Sequence, residues 1–340
     1  MQLNGRFFFS VLVCLSLAGT LLMAETHYFK PTSYSREFTA HIDPVLRIKP
    51  GDVVVTSCVD SNGDDENGKR VTLPYNPLTG PFYIEGAEPG DTLVVMLERV
   101  RLNRDTAAAS SRMSPDSVPP DYIAKNPPSR GLTWKLDRKT MTGSVDFAPW
   151  ISRFRLPLRP FPGCIGVAPP PREAPYSRLM ARTGSVTSSI VSDDMGGNLD
   201  YNELVEGTTL YFPVHAKGAF FFIGDGHAAQ GEGEVNGGAL ETSLDVQFKV
   251  SLIKNKTIPA VRAESDEFYM AMGMGLPLDQ ALQRATANMI DWLTRDFGLS
   301  QEEAHVLIGT TVVYDIGLVS DLRSTVACKI RKSLLTGPVR

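Results

Sequence analysis

The sequence predicts a mainly β protein, a sandwich or jelly-roll body with a helical pair packed on it near the C-terminus. Three observations carry this. A turn-then-strand signal recurs at Lys49-Pro50-Gly51-Asp52, Glu88-Pro89-Gly90-Asp91 and Val205-Glu206-Gly207-Thr208. The 29 glycines and 24 prolines are 53 of 340 residues, about 16% against an average near 12%, so turns are abundant. Helical periodicity emerges late, after residue 276.

Each element follows from local chemistry. Met1–Arg6 carries one positive charge and Phe7–Met23 is an almost unbroken apolar run, with Ala24-Glu25 as a cleavage point. That is a secretory signal peptide over 1–24, which implies a secreted or periplasmic protein. In each turn signal, Pro presets φ and Gly supplies the positive-φ corner. The runs that follow, Val53–Cys58, Thr92–Leu97 and Thr209–Phe212, are β-branched or aromatic and predict strands, as do Ala219–Ile223 and Leu244–Leu252. Residues 104–160 are rich in Ser, Pro, Arg and Ala and read as an irregular excursion. Leu278, Ala281, Leu282, Ala285, Met289, Trp292 and Leu293 then fall at helical steps, with Pro277 at the start and Gly298 at the stop. Ser300-Gln301-Glu302-Glu303 is a capping box for a second helix, in which His305 is structural.

Composition narrows the function. With 42% hydrophobic and 21% charged residues, the chain is neither disordered nor a polytopic membrane protein. A net charge of -4 lacks the basic footprint of nucleic-acid binding. There is no G-x-S-x-G elbow, P-loop, strand-to-helix G-x-G-x-x-G or CxxC. Three cysteines follow the leader, Cys58, Cys164 and Cys328, and read as small buried thiols.

The chemistry concentrates in Gly224-Asp225-Gly226-His227-Ala228-Ala229-Gln230-Gly231-Glu232-Gly233-Glu234, after the strand Phe220–Phe222. Its glycines permit close backbone approach to a ligand. An imidazole with three carboxylates can ligate a cation or supply a general base. A second cluster, Asp60-Ser61-Asn62-Gly63-Asp64-Asp65-Glu66, follows a strand end. It is not an EF-hand, since the twelfth position from Asp60 is Val71 rather than Glu. Cys164 lies between Pro162-Gly163 and Ile165-Gly166 with no basic partner, which predicts packing rather than nucleophilic attack. The Asp193–Asp200 turn can bring Asp194 or Asn198 to a pocket, and His41 with Asp43 forms a weaker pair.

Several segments, in order, resemble the acetamidase/formamidase family. They are Asn76–Pro81, Glu85–Asp91, Gly163–Pro169, Gly196–Tyr201, the Gly224–Glu234 run and Arg262–Glu264 with the helices beyond it. Glu232 departs from the Asp usual in the family, and His41-Ile42 from a Trp-containing run. The resemblance implies a jelly-roll-like catalytic body over 25–255, a small C-terminal α/β appendage over 256–340, and hydrolysis of short amides to carboxylate and ammonia. It also implies a divalent metal, with zinc foremost and calcium as an alternative. The expected ligands are Asp60, His227 and Glu232. Glu234 would be the proton shuttle, with His227 also catalytic, and Asp225, Gln230, Asp194 and Asn198 would support substrate or ligands. The expected partner is a small amide, with no nucleic acid and, after leader removal, no membrane. Homo-oligomer formation is left open. Two alternatives are an exported, non-catalytic jelly-roll that binds carbohydrate or another small ligand, and a hydrolase of larger amides whose pocket wall is built by 104–160.

Overall fold

The computed structural model describes residues 24–146, 155–170 and 186–335. The apolar part of the expected leader, Phe7–Met23, lies outside the described residues. Among the described residues, a nine-stranded sheet runs in the order Thr26–Tyr28, Val53–Cys58, Leu244–Ile253, Thr92–Leu102, Thr209–Pro213, Arg262–Glu264, Phe268–Gly275, Ser324–Arg331, Val313–Leu318. A six-stranded sheet runs Ser192–Asp193, Gly196–Asn198, Phe161–Gly166, Phe221–His227, Leu78–Ile84, Leu46–Ile48. The two meet face to face through aromatic rings. Phe248 of the first sheet packs edge-on against Phe82 and Phe221 of the second, with centroids 5.2 and 5.1 Å apart. Phe212 adds a further contact with Phe221 at 5.9 Å. This is the predicted mainly β, sandwich-like body.

The turn signals act as expected. Gly51, Gly90 and Gly207 have φ of 102°, 96° and 92°. Asp52, Asp91 and Thr208 each donate a backbone N–H to the residue three positions earlier, at 3.0 to 3.1 Å. The late helices span Leu278–Asp296 and Gln301–Thr311, and the second carries the full Ser300/Glu303 capping box. A second apolar core gathers Ala281, Ala285, Met289 and Trp292 against Ala271, Val326, Cys328 and Ile330. The nine-stranded sheet continues across residue 255, so the body and the C-terminal region share one sheet, and Val261, Ala263, Met270, Met272 and Met274 join the body's core while the second core lies against the helices.

The 104–160 segment differs from the expectation. Its described residues build a four-stranded antiparallel sheet, ordered Leu156–Pro157, Thr142–Ser144, Gly131–Asp137, Thr106–Ser110, with a short helix over Pro120–Ile123. The physical reason is a period-two pattern that the Ser- and Pro-rich composition conceals. Leu132, Trp134 and Leu136 turn inward while Gly131, Thr133, Lys135 and Asp137 face solvent. Cys58, Cys164 and Cys328 are free and buried, as read from the sequence.

Candidate active site

Strand Phe221–His227 is buried at every position, because it sits inside the six-stranded sheet. The Gly224–His227 segment, read from sequence as following the strand, is thus the end of that strand. The neighbouring strand places Phe161 opposite His227 and Cys164 opposite Gly224, and the next pairs Cys164 with Asn198. An isolated bridge joins His227 to Glu241. Register alone therefore draws Asn198, Asp200, Asp225, His227 and Glu241 to one place. Gly163 makes room for them. A Cβ there would lie 2.4 Å from Asp200 Oδ1, 2.7 Å from His227 Cε1 and 2.9 Å from Asp225 Oδ2.

The imidazole of His227 is edge-on to Phe161 at 4.9 Å and sits among carboxylates. Its Nε2 is 3.3 Å from Asp225 Oδ1 and 3.4 Å from Glu241 Oε1, and its Nδ1 is 3.9 Å from Asp200 Oδ1. Two sets place their ligand atoms within 4.8 Å of one another: Asp225, His227 and Glu241, and Asp200, His227 and Glu234. All five residues are buried. Three of the acids, Asp200, Asp225 and Glu234, hold φ values of 40°, 58° and 48°, left-handed conformations that cost energy in a non-glycine residue.

Electrostatics follow from this crowding. Burial, together with Glu241, Asp225 and Asp321, pushes the Glu234 carboxyl up to about 8, against the opposing pull of His227. Burial also raises Asp200, helped by Glu234 and Asp225, and Asp225 rises for the same first reason. Glu241 goes the other way. Burial opposes its charge, but His227 and donors at Ser61 and Ala239 hold it down at about 2. Burial likewise disfavours a charged His227, yet Glu241 and Asp225 lift it well above an ordinary imidazole. The set as a whole demands positive charge. Protons can supply it, and a divalent cation supplies it while leaving the carboxylates ionised.

The residues fit such an ion. Asp225 Oδ1, Asp200 Oδ1 and His227 Nδ1 are buried without a hydrogen-bond partner, a costly state that ligation or its supporting contacts relieve. Imidazole with carboxylates is a donor set for zinc and other borderline or hard cations. Asp225, Glu241 and His227 Nε2 form the tighter set, with Asp200 facing the opposite ring nitrogen, where a carboxylate orients a ligating histidine. The cavity above them is about 420 Å³, bordered by Asn76, Asn198, Asp200, Asp225, Glu234 and Glu241.

Of the residues expected from sequence, His227, Glu234, Asp225 and Asn198 meet here. Asn198 accepts from Asn76 Nδ2 at 2.6 Å and donates to Asp200 Oδ2 at 2.6 Å. Gln230 supports the site from behind, donating to the carbonyls of Asp200 and Gly317 at 2.6 and 3.0 Å. Asp225, expected in a supporting role, instead points its Oδ1 at the imidazole.

Asp60 is not brought in as a ligand. Its Oδ2 accepts from Arg104 Nη2 at 2.7 Å and its Oδ1 from the backbone of Asn62 and Asp64, so its oxygens are spent. Glu232 also lies apart, accepting from Asn202 Nδ2 and the Ile316 N–H at 3.2 and 3.0 Å. Asp194 sits beside Asp193 with Arg284 and Arg323 near and does not border the cavity. Cys164 donates to Asn198 Oδ1 at 2.9 Å, and burial keeps its thiol protonated, in line with a packing role.

Sequence reasoning missed Glu241 and Asp200 as site acids. Asp200 had only a proximity signal: it stands two residues after Asn198, just past the strand end, and accepts from its side-chain amide. Glu241 had none, because the His227 bridge that recruits it is non-local.

Comparison with known proteins finds relatives in both sequence and fold. The chain is 26% identical to a formamidase of Methylophilus methylotrophus over 335 residues, covering 79% of this chain and 81% of that one. It is 24% identical to an acetamidase of Mycolicibacterium smegmatis, covering 88% and 91%. Among solved structures, an acetamidase from Yersinia enterocolitica matches with a TM-score of 0.79 at 28% identity, over 94% of this chain and 96% of that one. An acetamidase from Bacillus halodurans matches at 0.75 and 25%, over 90% and 98%. The sequence profile of the acetamidase/formamidase family matches residues 30–177 and 173–322, and the chain belongs to that family.

Proposed function

We propose that the chain is a divalent-cation-dependent amidase that hydrolyses short aliphatic amides, formamide- and acetamide-like, to carboxylate and ammonia. As a member of the acetamidase/formamidase family it is a hydrolase of linear amide carbon–nitrogen bonds. The observation that carries the metal-dependent reading is one buried imidazole flanked by four buried acids, with three of the polar atoms unpartnered. Asp225, His227 and Glu241 would hold the ion, which when bound supplies Lewis-acid polarisation of an amide oxygen and a more acidic water.

The remaining work falls to this chain's own groups. Glu234 is buried beside His227, borders the cavity and lies outside the Asp225–His227–Glu241 set, so it is the acid placed to exchange a proton with the reacting groups. It takes the proton of the attacking water and delivers it to the departing nitrogen. Water adds to the carbonyl carbon, the carbon–nitrogen bond breaks, and ammonia leaves with the carboxylate behind. Asp200 faces the imidazole on its Nδ1 side at 3.9 Å, and Asn76 borders the cavity, its side-chain amide anchored on Asn198.

The test is ammonia release from formamide and acetamide by purified protein, with metal analysis before and after a chelator. Turnover should vanish with the metal and return with it. Full turnover by metal-free protein would overturn the cation dependence, and no release by metal-loaded protein from these amides would overturn the short-amide reading. We also propose, from the leader pattern at Met1–Ala24, that the enzyme works outside the cytoplasm.

A further inference from the structure

A second cavity of about 520 Å³ adjoins the site, and formamide or acetamide would leave it unused. Its walls are mainly apolar: Leu132 and Trp134 from strand Gly131–Asp137, Leu156, and Ala229, Val235 and Leu240 around the loop after His227. Leu132 and Trp134 project from one face of their strand, and small Ala109, paired with Leu132, leaves space beside them. The charged group on the rim, Arg159, is held in a two-pronged pair with Glu203 at 2.6 and 2.9 Å. Glu234 and Gly238 border this cavity and the carboxylate cavity alike. The proton-handling acid thus stands where an apolar space and a strongly polar one meet.

We propose that the apolar cavity receives the acyl group of the substrate, so that the enzyme favours primary amides with a branched or aromatic acyl chain over formamide and acetamide. This rests on amide hydrolysis at the His227 cluster. Formamide has no carbon beyond its carbonyl and acetamide only a methyl, so neither displaces water from the Leu132–Trp134 wall. A larger apolar acyl group does, and the gain appears in transition-state binding. The acyl side is the part that fits there. The nitrogen must stay within reach of Glu234 and leave as ammonia, which belongs to the polar cavity. The overall change is unaltered: amide and water give the apolar carboxylate and ammonia. The walls come from the 106–110 and 131–137 strands, which gives that four-stranded addition a role in selecting substrate.

The test is kcat/KM for formamide, acetamide, isovaleramide and phenylacetamide with metal-loaded protein. The last two should exceed acetamide by roughly tenfold or more, the usual weight of apolar pocket contacts. Trp134→Ala should erase most of that advantage and leave acetamide turnover as it was. Leu132→Asn makes the same point should Trp134→Ala fold poorly. Acetamide turned over with no gain across the series would overturn the inference while the amidase reading stands. Preference for N-benzylacetamide would place the apolar group on the nitrogen and overturn it as well. If no amide is hydrolysed, calorimetric titration with phenylacetate and acetate still decides. Tighter phenylacetate binding, weakened by Trp134→Ala, supports the cavity's role, and equal binding removes it.

Discussion

Glu234 and His227 are both buried and close together, yet their substitutions should fail in different ways. His227→Ala removes the imidazole shared by both ligand sets, so metal content and turnover should fall together, as metal analysis beside an ammonia assay would record. Glu234→Gln keeps size and burial, and the Asp225–His227–Glu241 set is intact. It should retain metal and lose roughly 10²–10⁴-fold in kcat, the usual weight of general acid–base catalysis. A His227→Ala protein with full metal content would end the ligand assignment. Cys164→Ala should keep at least about a tenth of the activity, since loss of a covalent nucleophile costs several orders of magnitude more. Its thiol is protonated and hydrogen-bonded to Asn198, so it only fills space and steadies an amide. At this scale the sequence was half legible. Asp225, His227 and Glu234 lie within ten residues of one another, and their chemistry shows locally. Asp60 misled because a carboxylate at a strand end looks available, whereas Arg104, far away in sequence, claims it. Such pairing is visible only once the strands are in register.

The turns that open the strands carry a stability device of their own. Asp52 Oδ2 accepts the Lys49 N–H at 2.8 Å and Asp91 Oδ2 accepts the Glu88 N–H at 2.8 Å, so each aspartate clamps its own Pro-Gly corner. Both are nearly buried, at 3% and 2% exposure. Burial alone would raise their pKa values, but it is outweighed. At Asp52 the lowering comes from the Lys49 and Glu25 backbone and from His27, and at Asp91 from Lys254 and the Asn255 and Glu88 backbone. Both therefore ionise below the ordinary 3.8. A depressed carboxyl stabilises the fold above its unfolded pKa and loses that contribution as pH falls through the folded value. Asp52→Asn and Asp91→Asn should each cost about 1–3 kcal/mol near neutral pH, from charge-assisted hydrogen bonds. Their deficit in denaturant titrations should shrink once pH drops below 3.8. A deficit that stays constant into acid would mean that the charge is irrelevant. Turns and capped helices were legible because their signals are contiguous. The 131–137 strand was not, because Ser- and Pro-rich neighbours drowned a pattern only three inward residues long.

Across the whole molecule, what the sequence conveyed was the set of parts, and what it withheld was how far the sheet extends. Arg262–Glu264 joins Thr209–Tyr211 edge to edge, so the C-terminal strands complete the body's sheet rather than standing beside it. Strand pairing of this kind is set by contacts distant in sequence, where local propensity says little. The other end of the chain is stitched in the same way. Thr26–Tyr28 runs parallel to Val53–Val55, the Val53 N–H donates to Glu25 O at 2.8 Å, and the Glu25 N–H donates to Asp52 Oδ1 at 2.9 Å. We propose that export removes residues 1–24, and this contact gives the cut a structural consequence. Cleavage after Ala24 turns the Glu25 amide nitrogen into an ammonium group beside a nearly buried carboxylate that His27 also contacts at 2.9 Å. A hydrogen bond from a neutral amide to a carboxylate becomes an ion pair in which both partners are charged. Exported protein should therefore begin at Glu25 on N-terminal sequencing. It should also be more stable at neutral pH than the same chain with its amino terminus acetylated, by about 1 kcal/mol. Asp52→Asn should abolish that difference, because the acetyl group then blocks a charge that has nothing to pair with. An amino terminus at Met1 would refute the cleavage, and an acetylation effect that persists in Asp52→Asn would detach it from this carboxylate.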